Sequence, residues 1–281
     1  MYEIQPYSYH CHTDFSDGKD TIAEMARRAK EIGFCELGIS DHLIVHKNMR
    51  QNPSWQYMEQ RRASYIYNDN FKTILDKYRR HCDEIRAVAK QKNIKIYVGF
   101  EVDYFPYDGW EEELKWFMSQ LDADYYHTGN HFFCDEKCEN IINMTYFTKI
   151  CTNKEVYKSY IERHFEVLRR AVESKMFRFL AHPDYLRRFC GGEYRPDLFM
   201  AEKTAILDAL AKTGTAMELS TKGLRKIDDF YPDFGMLQAA VKRDITLVIS
   251  DDAHCVGELG MDFERAEQAL QKAGAFHRLK F

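Results

Sequence analysis

The chain has no run of roughly 20 consecutive apolar residues, the length a helix needs to cross a bilayer, so none of its 281 residues is expected in a membrane. Its first residues, MYEIQPYSYHCH, lack a basic stretch followed by an apolar one, and no secretory signal is expected. None of the eight cysteines forms a CxxC pair. Cys134 and Cys138 stand four apart in a polar segment without two further ligands nearby, which argues against a zinc knuckle. Reduced, packed thiols in a cytoplasmic protein are the expectation. Prolines number six and no long Gly/Ser stretch occurs, which argues against a flexible linker between domains. There is no internal repeat and no low-complexity segment. The net charge of −4 offers no general attraction to nucleic acid or to an anionic membrane, and neither partner is expected. Neither a GxSxG nor a CxxxxxR signature occurs, so a serine or cysteine nucleophile has no support. Composition does not encode an oligomeric state.

What is present is alternation. A hydrophobic fraction of 45% is enough for one sizeable core, and α/β barrels run to about 250 residues as one unit, so residues 1–281 read as a single domain. Short β-branched or aromatic runs at 7–12, 36–41, 95–101, 124–129, 177–181, 216–220 and 246–250 predict seven strands. Amphipathic stretches between them predict helices, clearest at 70–92, 154–175 and 196–212 and shorter at 233–243. Thr21 and Glu24 form a capping box, with Gly33 placed to end that helix. A repeating βα order implies a mostly parallel sheet, either open and doubly wound or closed into a barrel. Residues 43–67 are polar and aromatic without a clear period and read as a long loop; residues 132–147 read as a hairpin.

The chemistry collects at the carboxyl ends of these strands, where parallel α/β folds build their sites. His10 and His12 are two apart on a strand, so both imidazoles face the same side. Asp17 follows in the next loop, and later strands end at His42, Glu101, His131, His182 and the pair Asp252 and His254. Nine such groups exceed the needs of one four-coordinate ion and suit two or three divalent ions sharing a carboxylate. The mixture of imidazole and carboxylate favours Zn, Mn or Fe over Mg or Ca. Asp41 and Asp251 alternate to the opposite strand face and are expected to support the site. His127, on the His131 face but deeper, is expected to pack. His46, His81, His164 and His277 fall in loop or helical segments and are expected to be solvated.

In order, His10-x-His12, Ser16-Asp17-Gly18, Ser40-Asp41-His42, Glu101, His131, His182 and Asp252-Ala253-His254 resemble the motifs of the PHP (polymerase and histidinol phosphatase) superfamily, from Tyr9 to about Gly260. The resemblance implies an α/β fold, a distorted (β/α)7 TIM-like barrel, with a metal centre at its C-terminal mouth. It implies that His10, His12, Glu101 and Asp252 hold one ion. Glu101 would bridge to a second ion held with His131 and His182, and Asp17, His42 and His254 would hold a third. Within the superfamily the chain looks most like the monofunctional histidinol-phosphate phosphatases, through the segments AHPDYLRR (181–188) and ELSTKGLR (218–225). In those enzymes arginines after strands five and six receive the substrate phosphate. Arg188 and Arg225 match best, with Arg187 and Arg195 as near rivals. Two departures stand out: many of those phosphatases have histidine in the place of Asp17, and Ser220 and Lys222 differ from their pattern.

The resemblance implies hydrolysis of a small phosphomonoester, L-histidinol phosphate first among candidates. A hydroxide bridging two ions would attack phosphorus in line, because a bound ion lowers the pKa of water from about 15.7 to about 7. A third ion, Arg188 and Arg225 would neutralise the phosphate oxygens. Glu101, Asp252 and His254 are the catalytic candidates, and Asp252 or a metal-bound water would protonate the leaving alkoxide. Other phosphoesters, such as nucleotides, phosphotyrosine or diesters, use the same metal chemistry and remain alternatives. A metal-dependent amidohydrolase also begins with HxH, but usually needs a lysine on strand four, where this chain has none beside His131. A non-catalytic PHP-like module would typically have lost ligands, and here all nine positions are filled.

Overall fold

The computed structural model describes residues 5–60, 66–189, 198–275 and 280; Arg195, Glu193, Tyr194 and His277 lie outside that set. All seven expected strands are present: β1 (Tyr7–Ser8), β2 (Glu36–Ile39), β3 (Lys95–Val102), β4 (Tyr125–Thr128), β5 (Phe179–Leu180), β6 (Ala216–Ser220) and β7 (Leu247–Ser250). They lie side by side in chain order, and every pairing along that path is parallel. The first and last strands then approach each other. A parallel bridge joins Cys11 to Ala253, the His12 amide donates to the Ala253 carbonyl at 2.8 Å, and the Gln5 amide donates to the Ile249 carbonyl at 2.8 Å. The sheet is therefore a nearly closed seven-stranded barrel.

Closure needs a filled interior. Tyr7, Tyr9, Tyr125, Phe179, Ala181, Ala216 and Val248 form the packed floor inside the strands. Tyr125 crosses this space, and its hydroxyl donates to the Tyr9 carbonyl at 2.6 Å. It fits because Gly38 and Gly99 lack side chains: a Cβ at either would come within 2.3 Å or 2.2 Å of Tyr125. The floor is apolar and the polar strand ends all lie above it, so sequence alternation becomes a vertical separation of core from site.

The helices cover the outside. The helix Ile22–Glu31 opens with the expected Thr21–Glu24 capping box, and Gly33 follows with φ +85°. The helix Phe71–Lys92 is capped by the Asn70 side chain and buries Phe71, Ile74, Tyr78, Cys82 and Ile85, a helical spacing that turns one face to the barrel. Helices Lys154–Glu173, Met200–Thr213 and Phe234–Val241 fall within a few residues of expectation. Among the described residues, no helix is long and apolar enough to cross a membrane.

The described residues of the segment 43–67 do not form an irregular loop. His42–Val45 form a short strand beside β3, with His42 paired to Glu101, followed by a turn at Met49–Gln51 and a helix at Trp55–Gln60. Leu43, Ile44 and Val45 are fully buried; three apolar residues in sequence carry no alternation because both faces of the strand are covered. The hairpin is present as antiparallel strands Phe132–Cys134 and Ile141–Asn143. Within it Cys134 and Cys138, expected as free thiols, are paired as a disulfide.

Candidate metal centre

Each strand lifts its terminal polar residue into one buried cluster. His10 and His12 project together from the segment after β1, Glu101 from β3, and His131 from the turn after β4. His182 and Asp252 follow β5 and β7 with left-handed backbones, φ +24° and +46°. Such torsions are costly away from glycine, and here they swing the side chains from the strand direction into the mouth. The His182 turn is held by its amide, which donates to the Glu218 carboxylate at 2.7 Å.

The nine expected ligands are all brought together, in four overlapping sets. His10 Nε2 and His12 Nε2 each lie 3.5 Å from Glu101 Oε2, and 3.6 and 3.2 Å from Asp252 Oδ1. Glu101 Oε1 lies 2.8 Å from His182 Nε2 and 4.0 Å from His131 Nε2. Asp17 Oδ1, on the open rim, lies 3.2 Å from His254 Nε2, 3.4 Å from His42 Nε2 and 3.8 Å from His12 Nδ1. In three details the grouping differs from the partition that the resemblance implies. His12 also reaches the Asp17 set, His42 turns Nδ1 to Glu101 Oε2 at 3.0 Å, joining Glu101 and His131, and His182 groups with His10 and Asp252. These separations match the edges of coordination polyhedra with bonds of about 2.0–2.2 Å.

The test of fit is what these atoms otherwise bond to. His10 Nε2, His12 Nε2, His42 Nδ1, Glu101 Oε2 and Asp252 Oδ1 are buried and make no hydrogen bond. Leaving one such atom unpaired costs about 1–3 kcal/mol, so five facing one another are hard to sustain without a shared cation. Electrostatics agrees. Burial pushes the His10 imidazolium down, yet Glu218, Asp252 and Glu101 outweigh it and raise its pKa well above the ordinary value. His42 is raised against burial by Asp17 and Glu101. His12, buried beside His254 and His42, drops instead to about 4. Glu101 and Asp252 are held well below the carboxylate range, against burial, by neighbouring imidazoles and, for Asp252, foremost by Lys222. The pocket is a negative well lined with neutralisable nitrogen, as a divalent-cation site requires.

A second ring of residues aims the first, and much of it is not evident from the sequence. Glu218, fully buried on β6, accepts from His10 Nδ1 at 2.6 Å and also from the Ser250 hydroxyl. Fixing Nδ1 in this way turns Nε2 to the cluster. Asp103 does the same for His131, binding its Nδ1 at 3.1 Å and its backbone amide at 2.5 Å. The available signal was a carboxylate inside an otherwise apolar strand, since a buried Glu or Asp is rare without a partner. Asp41 and Asp251 occupy the supporting positions expected of them. Asp41 accepts from the Thr13 amide, the Thr13 and Ser16 hydroxyls and His81. Asp251 accepts from Ser8, Ala253 and Gly260.

Three of the histidines expected in solvent, those among the described residues, are not there. His81 is buried, stacked on Phe15 and bonded to Asp41. His46 is buried against the Cys138 carbonyl, and His164 lies in the core of its helix; burial lowers the first to about 4 and the second to about 3. In all three, the helix or loop bearing the residue faces inward at that position, which residue type alone does not reveal. His127 packs as expected, stacked on Phe179.

The arginines sit at the rim. Arg225 donates to the Asp251 carbonyl at 2.6 Å, and its Nε and Nη1 are buried without hydrogen bonds. Arg188 is exposed and reaches the hydroxyl of Tyr185, whose ring abuts His131 and His182. Arg187 is taken up by Asp184, Asp229 and the Phe230 carbonyl.

Comparisons with known proteins follow the same lines. A Deinococcus radiodurans protein named "Probable histidinol-phosphatase" is 25% identical over 269 residues, covering 94% of this chain and 92% of its own. The histidinol-phosphatase of Bacillus subtilis is 22% identical, covering 93% and 98%. The crystal structure of the Lactococcus lactis histidinol phosphate phosphatase, complexed with zinc, L-histidinol and phosphate, superposes with a TM-score of 0.68 at 20% identity over 99% of this chain and 96% of that one. The PHP domain model matches residues 8–222, which takes in the strands from β1 to β6 and seven of the nine clustered candidate ligands, and the chain belongs to the PHP domain family.

Proposed function

We propose that the chain is a metal-dependent phosphoric monoester hydrolase that converts L-histidinol phosphate and water to L-histidinol and phosphate. One observation carries the reading: five buried, unbonded donor atoms from five residues converge at the barrel mouth. The set contains imidazole and carboxylate and no thiolate, which suits two or three ions of Zn, Mn or Fe. Ions bound there supply Lewis acidity, making hydroxide available near neutral pH and neutralising charge on phosphoryl oxygens.

The chain's own residues do the rest. Glu218 and Asp103 hold His10 and His131 in the orientation that ligation needs. Glu101, central to two of the ligand sets, fixes their spacing. Arg225 has two buried donors without a hydrogen bond, Nε with only Glu258 at 3.8 Å as an ion-pair partner, and Arg188 stands on the rim, so both are assigned to the substrate phosphate. Asp252, held ionised beside Lys222, is assigned as a metal ligand, with His254 next to it. The leaving alkoxide takes its proton from water. The names of the Deinococcus and Bacillus relatives, and the ligands of the Lactococcus structure, support histidinol phosphate as the substrate.

Phosphate release from L-histidinol phosphate, beside nucleotides and phosphotyrosine, tests this with Mn- or Zn-loaded protein. A kcat/KM of about 10⁴ M⁻¹s⁻¹ or more, well above the panel, is the expected result. A better panel substrate would keep the hydrolase and replace the substrate. No turnover of any phosphomonoester by metal-loaded protein would refute the reading.

A further inference from the structure

Lys222 opens the short helix Lys222–Ile227 directly after β6, and its side chain runs into the metal cluster. Its ammonium lies 2.8 Å from Asp252 Oδ2 and 3.3 and 3.5 Å from the two ring nitrogens of His254. Asp252 is thereby divided. Oδ2 belongs to the lysine, and Oδ1 faces the nitrogens of His10, His12 and His254 at 3.6, 3.2 and 3.4 Å.

The Asp17–His42–His254 group is the one most affected. An ion bound to His254 Nε2 at about 2.1 Å would lie within roughly 5.6 Å of the ammonium. Among the described residues, Lys222 makes no ion pair with Glu101, the carboxylate at the centre of the other sets. Like charges this close in a mostly buried site disfavour each other strongly. Resting on the metal-site reading above, we propose that Lys222 is a built-in cation that weakens ion binding at the Asp17–His42–His254 group. The protein then holds two ions tightly and a third weakly. The tethered ammonium supplies the positive charge that a third tight ion would otherwise bring to an anionic substrate.

Metal stoichiometry tests this without recourse to turnover. Metal-free full-length protein is titrated with Zn(II) against a chelating indicator, and the retained metal is counted by mass spectrometry after desalting. Wild type is expected to retain two equivalents. Lys222→Met is expected to retain three, with the third bound at least tenfold more tightly than in wild type. Lys222→Gln is the second variant should Met disturb folding, which circular dichroism checks. Lys222→Arg, which keeps the charge, and Lys226→Met, which removes an exposed charge one turn along the same helix, are expected to match wild type. Three equally tight ions in wild type, an unchanged third affinity in both neutral variants, or a tight third ion in Lys222→Arg would each overturn the proposal. The outcome is separable from the substrate question: a stoichiometry shift in a protein that hydrolyses no phosphomonoester would remove the proposed reaction and leave this inference standing.

Discussion

Glu218→Gln is the most informative single change outside the ligand set. The carboxylate uses both oxygens as acceptors at once: Oε1 accepts from His10 Nδ1 at 2.6 Å and from the Ser250 hydroxyl, and Oε2 from the His182 amide at 2.7 Å. An amide of the same shape cannot satisfy both. With its oxygen toward His10, its NH₂ meets the His182 amide, donor against donor, and the left-handed turn that aims His182 loses its anchor. With its oxygen toward His182, its NH₂ meets His10 Nδ1 and selects the tautomer that carries its proton on Nε2, the atom needed for the metal. Removing partners of this kind typically costs 10–100-fold in metal affinity or activity, or about 1.4–2.8 kcal/mol. The unsatisfied donor costs the metal-free fold about 1–3 kcal/mol as well. Zn(II) competition with a chelating indicator reads the first effect, and denaturant unfolding in EDTA reads the second. A folded Glu218→Gln protein with metal affinity within about twofold of wild type and full turnover would refute the assignment of Glu218 as the residue that orients His10 and His182.

Three further outcomes follow from the same geometry. In Gly129→Ala the new methyl would meet His182 Cε1 at 2.4 Å and Glu101 Oε1 at 2.6 Å, so metal retention and turnover should fall at least tenfold, while circular dichroism shows the barrel intact; unchanged metal content would contradict the packing described. Asp103→Asn should lower metal affinity by about 10–100-fold, because His131 loses a charged partner at 3.1 Å, and isothermal titration with Mn(II) reads the loss. In the metal-free protein, burial lowers the His10 and His42 pKa values, but Glu218, Asp252 and Glu101 around His10, and Asp17 and Glu101 around His42, raise them overall. Their stabilising contribution is therefore complete below the unfolded imidazole value of about 6.5 and is lost as pH rises through the folded-state values. Glu101, Asp252 and Asp17, all held well below the ordinary carboxylate value, are ionised in both states over this range and add no slope. Asp184 and Asp251, raised by burial to about 7 and about 6, lose stability in the same direction as pH rises, while His12, His46 and His164, lowered by burial to about 4, about 4 and about 3, add stability only up to the unfolded imidazole value. Melting temperature in EDTA should therefore fall from about pH 7 upward, while metal affinity rises over the same range as the rings shed protons; opposite slopes would remove the coupling between these rings and the carboxylates.

The candidate ligand positions other than Asp17 were legible because each stands at or just past the end of a β-branched or aromatic run. A strand whose interior is apolar and whose last residue is His, Asp or Glu states both where the core lies and where the chemistry begins. Seven such runs in βα order also carry the barrel, although closure itself depends on the approach of Cys11 to Ala253, a contact between residues 242 positions apart that no local pattern encodes. Residues 43–67 were misread for the opposite reason: Leu43, Ile44 and Val45 form a strand covered on both faces, and period-2 reasoning finds nothing to alternate.

The residues that sequence reasoning passed over share a physical character. Glu218 and His81 sit where strand or helix periodicity calls for an apolar side chain, Asp103 is buried directly after β3, and each is retained by a charged or imidazole partner distant in sequence. A buried charge without such a partner would cost several kcal/mol, so a carboxylate at an inward strand position implies that its partner exists before the partner can be named. Applied here, that rule selects Glu218 from the segment ELSTKGLR and leaves His10 or another inward-facing imidazole as its counterpart. It does not select Lys222, whose position after the strand end is as compatible with solvent as with the mouth. Only the fold, by placing the end of β6 beside that of β7, turns that lysine toward Asp252 and His254. Lys222 thus reaches the cluster through the register of two neighbouring strands, with Ser220 paired to Ser250 immediately before each segment leaves the sheet.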